Sequence, residues 1–494
     1  MPDPVDGAED ATATVLSRRY VALLVLAAVV GVIVSLGAWC FLELIYQIQR
    51  EVFHHLPSAL GYSHGPPLWW PVPVLAVAGV IVAFAIVRLP GNGGHVPADG
   101  LKVGGGPTLP REMPGIALAG LASIGLGTVI GPEAPLIALG SGLALATVRL
   151  ARRPMPDQAL TVVAAAGSFA ALSLIFSSPI IAAIILIEAT GIGGKQLTVV
   201  LLPGLIAAGV GGLVSIGMGS FTGLSTSAYA LGPLPLGHFA RPDLGQFGWT
   251  IAIALLIAAA LHAIVTGGRA THRLAQSRTF AVLPLAGIAV AGLAIAFSEA
   301  SGKAVEEVLF SGQDQLAGLV SHAGTWTLSA LVLLLAFKGV AYAISLGAFR
   351  GGPTFPAIFL GGAAGIAASH LPDFPLPAAV AVGIGAGVVS MLRLPLSAIV
   401  IASLLTAQSG DGAQALVIIG VVVAYLATLA LTRRGTPTQA AGAGTPARLR
   451  APRRWRRQAG DCDEPCPGHT RAEPSLQRPG EALARKHGPH KDNR

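Results

Sequence analysis

Glu133 stands inside GPEAP, residues 131–135, where a carboxylate flanked by glycine and prolines interrupts apolar sequence. An ionisable side chain at membrane depth is costly and normally lines a cavity or pathway rather than facing lipid. The glycine and prolines beside it predict a break between two half-helices, which a bilayer tolerates only around a site. A carboxylate among helix N-termini can occupy the place of an anion, because unpaired N–H groups and the helix dipole favour negative charge there. The plainer role is an acid that only stabilises a dipole. Two further charges interrupt apolar runs, Glu188 and Lys338. Lys338 either anchors a helix or contributes positive potential, and the sequence does not choose. No nucleophile with a base and no metal cluster occurs at membrane depth, so no enzyme activity and no cofactor are expected; a membrane-embedded enzyme or receptor is the reading from a different class. CDEPC at 462–466 with His469 has metal-ligating residue types but lacks a fourth ligand, and no metal is expected there.

The elements that must position Glu133 are membrane helices. Of 494 residues, 53% are hydrophobic and 11% charged, and the mean hydropathy is +0.68, which excludes an ordinary soluble domain. Apolar runs of about 20 residues fit spanning helices, and the strand alternation of an outer-membrane barrel is absent. The fold class is therefore an all-α polytopic membrane protein. The 63 glycines suit close helix packing in lipid. The net charge of +8 sits largely at the chain ends and in short loops, a pattern of membrane orientation rather than of nucleic-acid binding. Arg18 and Arg19 precede the first apolar run, 20–45, and mark its start as cytoplasmic. A polar, His- and Pro-rich loop is expected next, beginning before His54. The clusters Arg149, Arg152, Arg153 and Arg269, Arg273, Arg278 mark further inside points, whereas the loop 219–246 carries only Arg241. The polar first 17 residues do not resemble a cleavable signal peptide. Cys40, Cys462 and Cys466 make no disulfide framework. Residues 435–494, rich in Pro, Gly, Arg and Ala, are expected to form a disordered, basic, cytoplasmic tail.

The chain also repeats itself. Aligning Gly131 with Gly352 matches Pro132 with Pro353, Pro135 with Pro356, Ile137 with Ile358, Leu139 with Leu360 and Gly140 with Gly361; residues 177–189 likewise match 393–405. The first half-helix ends in arginines, whereas its copy ends in SHLPDFPLP, 369–377, without Lys or Arg. Halves of about 18–218 and 247–434 are therefore expected to be inverted, an arrangement that puts a substrate at the bilayer midplane beside helix N-termini. The hairpin arms 159–175 and 180–188 are each expected to be too short to cross unaided.

GGHVP at 93–97, GPEAP at 131–135 and GPTFP at 352–356 resemble, in order, the GSGIP, GREGP and GxFxP motifs of the CLC chloride channels and chloride/proton exchangers. The resemblance covers roughly residues 18–434. It implies the CLC-type inverted repeat with broken and tilted helices, and a homodimer in membrane lipid with one anion pathway per subunit. The interface would include 180–187 and 396–405. It further implies that Glu133 is the gate, moving away on protonation, and that Gly94, Ala134, Thr354 and Phe355 bind the anion. The departures matter. The motif serine aligns with Gly94; Pro353 lacks the N–H used at that position, leaving the N–H groups of Thr354 and Phe355 with the Thr354 hydroxyl; Pro132 replaces the basic residue before the gating glutamate. The inner proton-transfer glutamate of exchangers aligns with Ala189. Glu188, one residue earlier and about 100° around a helix, is a candidate proton relay or a membrane-edge acid. No tyrosine stands near 436–439, where the family places one against the anion, and the tail does not resemble paired nucleotide-binding modules. The expected activity is passive, Glu133-gated permeation of chloride or a similar small anion, with fluoride and nitrate open. The rival is a chloride/proton antiporter. The expected location is the plasma (inner) membrane, with both termini cytoplasmic.

Overall fold

The computed structural model describes residues 16–435 except 64, 102–105, 153–154, 192–194, 223–230 and 240. Cys462, Cys466, His469 and the expected tail beyond Gly435, itself the last residue of a helix, lie outside the described residues. Fifteen helices carry the architecture. The first half contains α1 (Arg18–Arg50), α2 (Pro71–Arg88), α3 (Met113–Gly125), α4 (Glu133–Leu150), α5 (Asp157–Ile175), α6 (Pro179–Thr190) and α7 (Lys195–Thr222). The second contains α8 (Leu244–Ser277), α9 (Thr279–Ser301), α10 (Gln313–Ser321), α11 (Leu328–Ala348), α12 (Thr354–Ala368), α13 (Leu376–Leu392), α14 (Pro395–Leu405) and α15 (Asp411–Gly435). Among the described residues nine helical segments are long and apolar enough to cross a membrane.

Two expectations need correction. The helix of the first apolar run does not give way to a loop before His54: α1 continues through a π-helical turn, Glu51–His55, and a last turn, Leu56–Ala59. His54 and His55 are thus helical, and His55 pairs with Glu51 one turn earlier at 2.9 Å. Polar side chains mark where a helix leaves lipid, not where it ends. Nor is α5 too short: it runs 19 residues and is long enough to cross, whereas its partner α6 has 12.

The repeat is visible in the packing. In the first half α4 packs on α5, α5 on α7 and α1 on α7; in the second, α12 packs on α13, α13 on α15 and α8 on α15. Each half has a crossing close enough to exclude any side chain. A Cβ on Gly140 or Gly167 would run into the other's carbonyl, and Gly361 and Gly383 stand in the same relation. Glycine is the only residue that allows backbones to approach so closely. The turn into each short hairpin helix also repeats: Ser177 and Arg393 both adopt left-handed backbone, with φ of 48° and 59°. Ser178 then caps α6 by accepting from Ile181 N at 3.3 Å.

The two broken helices meet at their starts. Gly131 N donates to Gly352 O at 2.8 Å and Gly352 N to Gly131 O at 2.5 Å, an antiparallel bridge of one residue from each half. An antiparallel bridge between equivalent residues is what a local two-fold axis between the halves produces, in keeping with an inverted repeat.

Candidate functional site

Glu133 is the first residue of α4, and its side chain crosses the bridge to the other half. Its Oε1 accepts from the backbone N–H of Thr354, the first residue of α12. The N–H groups of Phe355 and of Glu133 itself also lie against the carboxylate. The donors exist because the first turn of a helix has no internal acceptors, and Pro353, without an N–H, leaves Thr354 as the first of them. Glu133 is wholly buried, and its Oε2 and the Thr354 hydroxyl make no hydrogen bond of good geometry. The carboxylate fits only because both bridge residues are glycines: a Cβ on Gly352 would overlap its carbon and both oxygens, and one on Gly131 would overlap Oε2. Phe355 covers it from the side of α12 and stacks on Phe176 at the α5–α6 turn, with centroids 5.2 Å apart and planes 19° apart.

The residues around Glu133 face two different spaces. Pro132, just before it, lines a cavity of about 450 Å³ together with Gln49, Arg50, His54 and Glu306. Ala134, just after it, lines another of about 550 Å³ with Gly94, His95, Glu112 and Ser168. Three consecutive residues therefore touch one cavity, a sealed carboxylate and a second cavity.

The loop carrying Gly94 explains its own composition. Gly91, Asn92, Gly93 and Gly94 have φ of 82°, 49°, 71° and 94°, four consecutive left-handed residues that only glycine and, less readily, asparagine adopt cheaply. Gly94 N closes the turn on Gly91 O at 2.8 Å, and a 3-10 turn follows at Pro97–Asp99.

Of the residues singled out in the sequence, Glu133, Thr354 and Phe355 converge, while Gly94 and Ala134 share the neighbouring cavity. Glu188 is engaged elsewhere. Its Oε1 accepts from Leu396 N at 2.9 Å, and its Oε2 from Ser397 N and Ser397 Oγ, both at 2.7 Å. It is a cap on the start of α14. Lys338 is an anchor: its Nζ donates to the carbonyls of Glu307, Val308 and Leu309 at 2.8, 3.3 and 2.9 Å and lies 4.3 Å from the Phe359 ring centroid.

Two residues beside the site were missed. Tyr342 of α11 is fully buried and donates its hydroxyl to the carbonyl of Pro353, at the root of α12. Arg350, two residues before the bridge, is 6% exposed. Its backbone N donates to Ser123 Oγ at 3.1 Å, and its side chain reaches the loop at Asn92. Arg350 could have been suspected as the single charge in GAFRGGPTFP; nothing local marks Tyr342.

Known proteins bear on this geometry. A family profile described as voltage gated chloride channel matches residues 98–429. A protein from Escherichia coli O1:K1 / APEC, provisionally named the ion-transport protein YfeO, is 29% identical over 364 residues, covering 73% of this chain and 82% of its own. Its counterpart in Shigella boydii serotype 4 is 28% identical over the same length. Among solved structures, a slow cyanobacterial Cl−/H+ antiporter is similar in fold, with a TM-score of 0.67 and 19% identity over 83% of this chain and 94% of that one. A CLC-type fluoride/proton antiporter superposes with a TM-score of 0.62 and 18% identity over 83% and 96%. The chain belongs to the voltage gated chloride channel family and is a multi-pass membrane protein that transports anions rather than an enzyme.

Proposed function

We propose that residues 18–434, as inverted halves of about 18–218 and 247–434, carry chloride or a similar small anion passively through a pathway gated by Glu133. The observation that carries this reading is the fully buried Glu133 carboxylate, held at the start of α12 between two cavities. With Glu133 ionised, its carboxylate holds the N–H groups that a passing anion needs. With Glu133 protonated, its hold on those donors weakens, the side chain leaves, and the anion takes them. Gly94 and Ala134 bound the approach from one side; Thr354 and Phe355 offer the donors. The assembly is a homodimer in the plasma membrane with both termini cytoplasmic. In support, Ile180 of α6 and Leu396 of α14 are 60% and 62% exposed in the single chain, on helices that need an apolar cover. Residues 1–17 and 435–494 are the cytoplasmic extensions in this scheme.

Proton-coupled exchange is the second reading, favoured by the similarity in fold to two antiporters. The capping bonds of Glu188 speak for the passive reading, since a carboxylate with three donors is poorly placed to shuttle protons. Purified protein in liposomes, with an imposed chloride gradient, a valinomycin clamp and external pH recording, separates the two. Chloride efflux without proton movement supports the passive pathway; uphill proton movement driven by chloride overturns it.

A further inference from the structure

Arg350 is a buried cation with no ion-pair partner among the described residues. Its Nη1 donates to its neighbour's carbonyl, Phe349 O, at 3.1 Å, and its Nε reaches Asn92 O at 3.5 Å. Nη2 has no hydrogen-bond acceptor among the described residues. A guanidinium does not discharge by losing its proton. A buried charge left with two backbone carbonyls is expensive, and the usual remedy is an opposite charge. Glu133 does not supply it, being engaged by the start of α12. The position matters as much as the charge: the Arg350 stem packs against Gly93, and the flanking Gly91 and Gly94 line the cavity shared with Ala134. The equivalent residue in the first half, two before Gly131, is Val129, so the cation is not a requirement of the repeat.

We propose that Arg350 is the fixed positive charge of the anion pathway, holding a small monovalent anion beside the left-handed loop 91–94 as a station separate from the Glu133 gate. The planar fork offers parallel N–H donors, so the station accepts a planar oxyanion such as nitrate at least as well as a halide. The inference rests on the anion-transport reading, and wild-type flux is therefore measured first.

The experiment compares wild type, R350Q and R350K in liposomes for chloride and nitrate efflux. In detergent it compares the rise in melting temperature when chloride replaces gluconate. R350Q is expected to lose about tenfold or more of the flux and the chloride-dependent rise. R350K is expected to keep part of both, with a lower nitrate-to-chloride ratio because an ammonium lacks the fork. A merely structural arginine would lower every melting temperature without removing the chloride response or moving the ratio. Retention of the chloride response and flux in R350Q overturns the proposal. If R350Q does not fold, an unchanged nitrate-to-chloride ratio in R350K overturns it. Absence of flux in wild type with either anion counts against the transport reading instead.

Discussion

Glu133 and Glu188 do the same thing in two places with opposite consequences. Both belong to the first half of the chain, and both reach across to the start of a helix in the second, Glu133 to α12 and Glu188 to α14. Glu188 is partly exposed, and both its oxygens are used, by two backbone N–H groups and a hydroxyl. Glu133 is fully buried with one oxygen unused, in a chamber that two glycines leave just large enough. A cap satisfied on all sides is a staple. Glu133, half-satisfied and flanked by residues that line two cavities, is under the proposed gating the part that leaves when an anion takes the same donors.

The largest expected effect comes from removing the charge at the first junction. Glu133→Gln should raise anion flux at neutral pH by about tenfold or more, a barrier change of roughly 1.4 kcal/mol per decade. It should also flatten the pH dependence. In wild type, flux should rise as pH falls, because the protonated acid releases α12. Flux measured in liposomes across a pH series checks both, and an unchanged pH profile in the variant removes Glu133 from the gate. Gly352→Ala tests the chamber rather than the charge. Its methyl group would claim the carboxylate's space, so the flux should move in the same direction as in Glu133→Gln. The overpacking should cost about 1–3 kcal/mol of stability. A stable variant with wild-type flux would mean that the chamber does not hold the gate closed.

The second junction sharpens the comparison by not behaving like the first. Glu188→Gln keeps an acceptor but loses the charge, and should lower stability by about 1 kcal/mol, read as a reduced melting temperature, with flux and its pH profile unchanged. Any loss of proton movement in that variant would revive its relay role.

The two junctions were unequally legible in sequence. GPEAP and GPTFP announce themselves, because breaking a helix at membrane depth needs glycine and proline; the alignment paired Gly131 with Gly352 as repeat equivalents, but that they bridge came only with the structure. The GNGG at 91–94 could be seen as a loop, but not as four successive left-handed residues, since a glycine's composition does not fix the sign of its φ. Glu188 showed as an acid at a helix end while its partner, 208 residues away, did not. Helix ends were misplaced where polarity stood in for geometry, as at His54 and His55, which α1 carries onward. Arg350 and Tyr342 depend on what lies across the chain, and no local pattern encodes that.

In the proposed gate the receiving side of the first junction stays fixed while the arriving side moves, and Tyr342 bears on that difference. The carbonyl of Pro353, at the start of α12, accepts the Tyr342 hydroxyl. The equivalent carbonyl of Pro132, at the start of α4, accepts Leu136 N from within its own helix, at 3.0 Å. The Pro353 carbonyl is thus held by a neighbouring helix, whereas that of Pro132 is bonded within its own helix. Tyr342→Phe removes the brace without opening a cavity, and should cost about 1 kcal/mol. Because a looser α12 start presents its N–H groups less well to carboxylate and anion alike, the variant should weaken both closure and anion binding. The pH profile should therefore keep its shape at lower amplitude. A profile displaced along the pH axis would instead mean that the hydroxyl acts on the Glu133 carboxylate itself, and the brace would have to be counted as part of the gate.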